Sequence, residues 1–202
     1  MVRLFIAATI IALGVTQAVA GEASFTGKEA KRMLFSPKRT EFTVVPQDFM
    51  TDTDVATLNL MADMTEFKAV LYYGAIAASP KQGLAHKATV ASANHHSTAA
   101  AEAQAINECN AMRGGGPKCV VVARITPRKF TEQSLQLSAS ATTALKRTYL
   151  KGRGEKAMAI SPATGEYAIA KGTGAAQSAL AACNKAAGDK GTSDCYIAVQ
   201  DN

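Results

Sequence analysis

Apolar residues along this chain recur with a period of two in some stretches and close to 3.6 in others, and the switches mark its elements. Thr26-Gly27-Lys28-Glu29 has the spacing of a capping box and predicts a short helix running through Phe35, closed before Pro37. Glu41-Phe42-Thr43-Val44-Val45 reads as a strand stopped by Pro46. Val55, Leu58, Met61 and Ala62 form a helical stripe behind Thr51-Asp52-Thr53-Asp54, whose residue types suit a helix start. Asp52 and Asp54 read as caps and not as calcium ligands, since no further acidic positions complete a calcium loop.

From Tyr72 onward the pattern is written twice. Ala75-Ile76-Ala77-Ala78-Ser79-Pro80-Lys81-Gln82-Gly83 matches Ala157-Met158-Ala159-Ile160-Ser161-Pro162-Ala163-Thr164-Gly165 at five of nine positions. Each segment reads as a strand, a Ser-Pro turn with glycine where positive φ is needed, and a returning strand at residues 84–90 or 166–170. Residues 99–114 then match residues 173–188 without a gap. Ala101/Ala175, Ala105/Ala179, Ile106/Leu180 and Cys109/Cys183 fall on one helical face, Asn110 corresponds to Asn184, and Gly114 and Gly188 serve as breakers. Cys119-Val120-Val121-Val122 and Cys195-Tyr196-Ile197-Ala198-Val199 follow as buried, interior strands. The hairpin-to-helix spacing differs by eight residues, so the two copies are diverged.

The expected fold is therefore α+β: two diverged strand-strand-helix-strand repeats packed together, an antiparallel sheet covered by helices, clipped by disulfides. Residues 1–20 read as a signal peptide, 21–71 as an N-terminal segment with short helices, and 72–130 as the first repeat. Residues 131–155 carry a connecting helix, expected at 133–150 from the stripe Leu137, Ala141, Ala144, Leu145 and Thr148, and 156–202 form the second repeat.

The leader changes how the cysteines are read. Arg3 precedes the apolar run at residues 4–13, and Ala18-Val19-Ala20 offers small residues for cleavage, which sets the mature start at Gly21. The apolar run is too short to span a bilayer, and no second long one follows, so the mature chain is expected to have no transmembrane span. An exported chain is periplasmic or secreted, and its cysteines meet an oxidising compartment. Cys109, Cys119, Cys183 and Cys195 admit three pairings, of which proximity favours 109–119 with 183–195. Each bridge is worth about 2–4 kcal/mol. Zinc is the competing use, but tight Cys-x-x-Cys pairs are missing, and the pattern implies no metal.

The small-apolar run, the Ser-Pro-x-x-Gly turn, the alanine-rich helix and two cysteines about ten residues apart resemble the exported domain of unknown function 4189. The resemblance covers residues 72–125 and, more loosely, 157–201. It implies the fold above and carries no catalytic residues. Short exported chains of this kind also go by the name 5-aminolevulinate synthase. The chemistry opposes that activity, which needs a larger pyridoxal-phosphate scaffold, a Schiff-base lysine and cytosolic acyl-CoA; no cofactor is expected.

The chain has no tryptophan, 6% aromatic residues and a net charge of +6, which becomes +5 once Arg3 leaves. Many alanines predict helices packed closely on a sheet. The basic residues are scattered, in short clusters such as Lys38-Arg39 and Lys146-Arg147 without interleaved aromatics, which argues against specific nucleic-acid binding. The partners expected are an unknown protein or an anionic envelope component.

Candidate chemistry is sparse. His95-His96 is a candidate loop site before the first repeat helix, with two imidazoles and no clear third ligand; the bland reading is a pair of surface histidines. Gly172-Thr173-Gly174 is a candidate anion contact through backbone N–H groups, and equally an ordinary helix start. Glu102, Glu108 and Asp63 are carboxylates whose convergence only a structure can reveal. The function expected is an exported, non-catalytic binding or interaction protein. The alternatives are an exported enzyme with an unrecognised site, or a hydrolase inhibitor that presents an exposed rigid loop at 92–97 or 114–117.

Overall fold

Two threonines start the helices of the N-terminal segment. The Thr26 hydroxyl accepts the Glu29 N–H while the Glu29 carboxylate accepts the Thr26 N–H, and Thr51 and Asp54 repeat the arrangement. The computed structural model describes residues 24–64, 67 and 69–202. The signal-peptide reading of residues 1–20 and the cut after Ala20 lie outside them.

In chain order the elements are α1 (Gly27–Met33), β1 (Thr40–Val44), α2 (Asp52–Asp63), β2 (Gly74–Ala78), β3 (Val90–Ser92), α3 (Thr98–Met112), β4 (Val120–Pro127) and α4 (Ala139–Ala144). A π-helical turn (Leu145–Tyr149) extends α4, and β5 (Lys156–Ile160), β6 (Tyr167–Lys171), α5 (Ala175–Gly188) and β7 (Tyr196–Asp201) complete the chain. The protein is α+β, and no helix among the described residues is long and apolar enough to cross a membrane.

Two antiparallel sheets form, where the copies were expected to share one sheet or one core. The first has the order β1-β4-β2-β3 and the second β6-β5-β7. β1 pairs along the outer side of β4, and Phe25 bridges Val199 on β7, so an edge of each sheet is already occupied. β4 is an interior strand as expected, but the interior strand of the second sheet is β5 and β7 lies at its side.

Period-two alternation decides what each face packs against. Ala75 and Ala77 share a core with Ala101, Ala105 and Cys109 of α3, while Ile76 and Ala78 meet Leu58 of α2 on the other face. In the second sheet Ala157 and Ala159 meet Ala175, Ala179 and Cys183 of α5, while Met158 and Ile160 meet Leu145 and Tyr149. Alanine against alanine lets helix and strand backbones approach closely but buries little area per residue. Disulfides compensate. Cys109 is bonded to Cys119 and Cys183 to Cys195, each across a Cα separation of 6.1 Å. Disulfides of this kind point to a non-cytoplasmic protein.

Four local expectations need correction. α1 ends at Met33, two residues early. The strand returning from the first Ser-Pro turn is Val90–Ser92, and residues 84–89 form an irregular arch before it. The breakers after α3 and α5 with positive φ are Gly115, Gly116 and Gly191, not Gly114 and Gly188. The connecting helix begins at Ala139 and not at residue 133, because the N–H groups of Ser138 and Ala139 bond to His96 and to the Tyr72 carbonyl. Leu135 and Leu137 are buried without being helical.

Candidate functional site at the junction of the two sheets

The loop after β3 is held from three directions. The His95 N–H and C=O pair with the C=O and N–H of Tyr73, and the Asn94 side-chain oxygen accepts the Ser140 N–H at 3.2 Å. Gly165, at φ +76°, brings the second Ser-Pro turn against the loop so closely that a Cβ there would stand 2.5 Å from the Asn94 carbonyl oxygen.

His96 sits at the centre of this contact. Its Nδ1 accepts the Ser138 N–H at 3.1 Å, which leaves the ring proton on Nε2 to be donated to the Glu166 carbonyl at 3.0 Å. The ring is 3% exposed. Burial holds its pKa down at about 4, so the neutral tautomer persists at ordinary pH.

His95 is 5% exposed, which overturns the surface reading of both histidines. Sequence reasoning missed this because the partners that bury them, Ser138 and Glu166, lie 42 and 70 residues away from His96. The Ser92 hydroxyl lies 2.6 Å from His95 Nε2, while the buried Nδ1 has no hydrogen-bond partner within the protein. Burial lowers the His95 pKa, the Lys190 ammonium lowers it further, and the Glu108 carboxylate opposes both.

These groups line a cleft of about 310 Å³ between the two halves. Ser92, His95, Gln104 and Glu108 come from β3, its following loop and α3; Thr164 and Lys190 come from the second Ser-Pro turn and the end of α5. Gln104 and Glu108, one helical turn apart, are joined by a 2.6 Å hydrogen bond. Lys190 forms a 2.6 Å ion pair with Glu166. The cleft is polar, carries both signs of charge and encloses a neutral imidazole. Such a surface can bind a small polar molecule through several directed hydrogen bonds. The Ser92–His95 contact has the first link of a nucleophile-base relay, but no carboxylate holds His95 Nδ1.

The remaining sequence candidates lie elsewhere. Gly172 and Gly174 adopt positive φ before the helix, and the N–H groups of Gly174 and Ala175 bond to the Glu155 carboxylate at 3.0 and 3.2 Å. The anion at this helix terminus is thus the chain's own, and Glu155 was not singled out from sequence. Glu102 pairs with Arg124, Glu108 lines the cleft, and Asp63 ends α2 on the opposite face of the first sheet from α3. The three carboxylates do not converge. Lys190, Gln104 and Thr164 carry no motif that would have marked them.

No family model, no curated protein and no solved structure matches this chain.

Proposed function

We propose that this chain is an exported, non-catalytic binding protein, made of two diverged copies of one strand-strand-helix-strand unit, whose small polar ligand occupies the cleft where the copies meet. The duplication is supported by details that short matching sequences do not force. The β2/β4 register slips between Ile76 and Ala77, and the β5/β7 register slips between Met158 and Ala159. Asn110 accepts the Cys119 N–H at 3.0 Å, and Asn184 accepts the Cys195 N–H at 3.1 Å.

One observation carries the ligand assignment. His95 lines a polar cleft with a ring nitrogen that no protein group satisfies, and a buried unsatisfied polar atom costs about 1–3 kcal/mol. A ligand bridging the two halves would meet His95 together with Lys190 and Glu108. The same observation argues against nucleophilic catalysis, because an imidazole without an orienting partner on Nδ1 is a poor general base. The inhibitor reading loses its first loop, since residues 95 and 96 are buried. An anionic envelope component fits the net positive charge of the chain.

The test has two arms. The mature protein is screened by thermal shift against small polar metabolites, alongside His95→Phe and Lys190→Ala. Stabilisation by a ligand that both substitutions abolish supports the reading, and a hit indifferent to both would remove the cleft from it. Labelling of Ser92 by a fluorophosphonate, lost in His95→Phe, would replace it with the enzyme reading. Export is checked by mass spectrometry of the native protein, with an N-terminus at Gly21 expected.

A further inference from the structure

The second site lies on the other face of the first sheet. In the second sheet Met158 and Ile160 are covered by Leu145 and Tyr149, both fully buried. In the first sheet the matching positions are Ile76 and Ala78, so a large side chain is replaced by a small one under α2. The arch at residues 84–89 has no counterpart in the second half, where one residue separates Gly165 from β6. The arch and α2 together roof a cavity of about 240 Å³ lined by Leu58, Met61, Ile76 and Leu84.

Among the described lining residues, Thr89 contributes the unsatisfied polar group: its buried Oγ1 has no hydrogen-bond partner within the protein. Asp54 stands at the same cavity, its carboxylate engaged by the Thr51 N–H and hydroxyl at 2.8 Å each. A negative charge beside an apolar chamber disfavours an anionic guest. An apolar cavity of about 150 Å³ holds benzene, so this one admits a substituted ring or a chain of similar bulk.

From these features we infer that the cavity between α2 and the first sheet binds a neutral, largely apolar small molecule carrying one hydroxyl, of the alkylphenol class, with Thr89 as its hydrogen-bond partner. The site is separate from the junction cleft, which is lined from the α3 side, so it stands or falls independently of the function proposed above.

The probes are p-cresol, toluene and benzoate, titrated into the full mature protein and followed by methyl NMR. Cresol is expected to shift the methyls of Leu58, Met61, Ile76 and Leu84, to bind about 2- to 10-fold more tightly than toluene, and to outcompete benzoate. Thr89→Val, which keeps the side-chain shape, should make cresol and toluene equal, while Lys190→Ala leaves both titrations unchanged. Equal binding of cresol and toluene by the unmodified protein would overturn the inference, and so would shifts mapping outside the cavity or no binding at millimolar probe. The comparison of probes on the unmodified protein decides the matter even if the variant fails to fold.

Discussion

The carbonyl oxygen of Asn94 stands 2.5 Å from the point where Gly165 would carry a Cβ, so one missing methyl group lets the two halves touch. Gly83 occupies the matching place in the first Ser-Pro turn with almost the same φ, +74° against +76°, yet nothing lies within 4 Å of its Cβ position. The two glycines therefore separate backbone strain from contact. Gly83→Ala should cost about 1–2 kcal/mol from left-handed strain alone. Gly165→Ala should add about 1–3 kcal/mol of overpacking. Urea denaturation of both variants checks this, and equal losses would show that the turn does not press on the loop.

His96 makes acid destabilising. Its folded pKa of about 4 lies below its ordinary value of 6.5, so the unfolded chain takes up the proton first as pH falls. The stability owed to the neutral ring is complete above about pH 6.5 and is lost progressively down to about pH 4, by roughly 3 kcal/mol. His95 is shifted in the same direction. Equilibrium unfolding from pH 7.5 to 4 should show this slope. In His96→Gln the slope should flatten, with a lower plateau at neutral pH; an unchanged slope would assign it to other groups.

Glu155 closes the start of α5, and its loss should reopen that end. Glu155→Ala is expected to destabilise by about 0.5–2 kcal/mol through the two freed N–H groups of Gly174 and Ala175. Phosphate should then raise the melting temperature of the variant more than that of the unmodified protein. Identical phosphate responses would mean that the freed terminus holds no anion.

The two disulfides close segments of similar length, with sequence separations of 10 and 12. Replacing either pair by serine should cost about 2–4 kcal/mol, and the two losses should agree within about 1 kcal/mol. A much larger loss at Cys183–Cys195 would place more of the stability in the three-stranded sheet.

What could be read from the sequence was local. Thr26 with Glu29 and glycine after each Ser-Pro pair act within a few residues, so spacing alone identifies them; at the second helix the sequence suggested Asp52 and Asp54 as caps, and Thr51 is the N-cap. The alanine and cysteine face of each long helix follows from its period. Choice of edge partners did not follow, because β1 and Phe25 reach β4 and β7 across long stretches of intervening chain. The stripe at Leu137, Ala141 and Leu145 is a true apolar face, yet its first member is non-helical because tertiary bonds take the N–H groups at 138 and 139. Histidine burial was illegible for the same reason: adjacent polar residues in a loop read as solvated until distant backbone groups are known to satisfy them.

The Phe25 bridge also sets an order of events. The Phe25 N–H bonds to Ala198, its carbonyl accepts the Gln200 N–H, and the Gly27 N–H bonds to the Asp201 carboxylate, 174 residues further on. Synthesis at about 5–20 residues per second separates those partners by roughly 9–35 s. During that interval α1 can meet only the turn at Leu145–Tyr149, and the edge that Phe25 will seal does not yet exist. The first sheet, by contrast, has all its strands once residue 127 is made. The strands of the two sheets are therefore completed in succession, and Phe25 gains its strand partner only when the second sheet is complete.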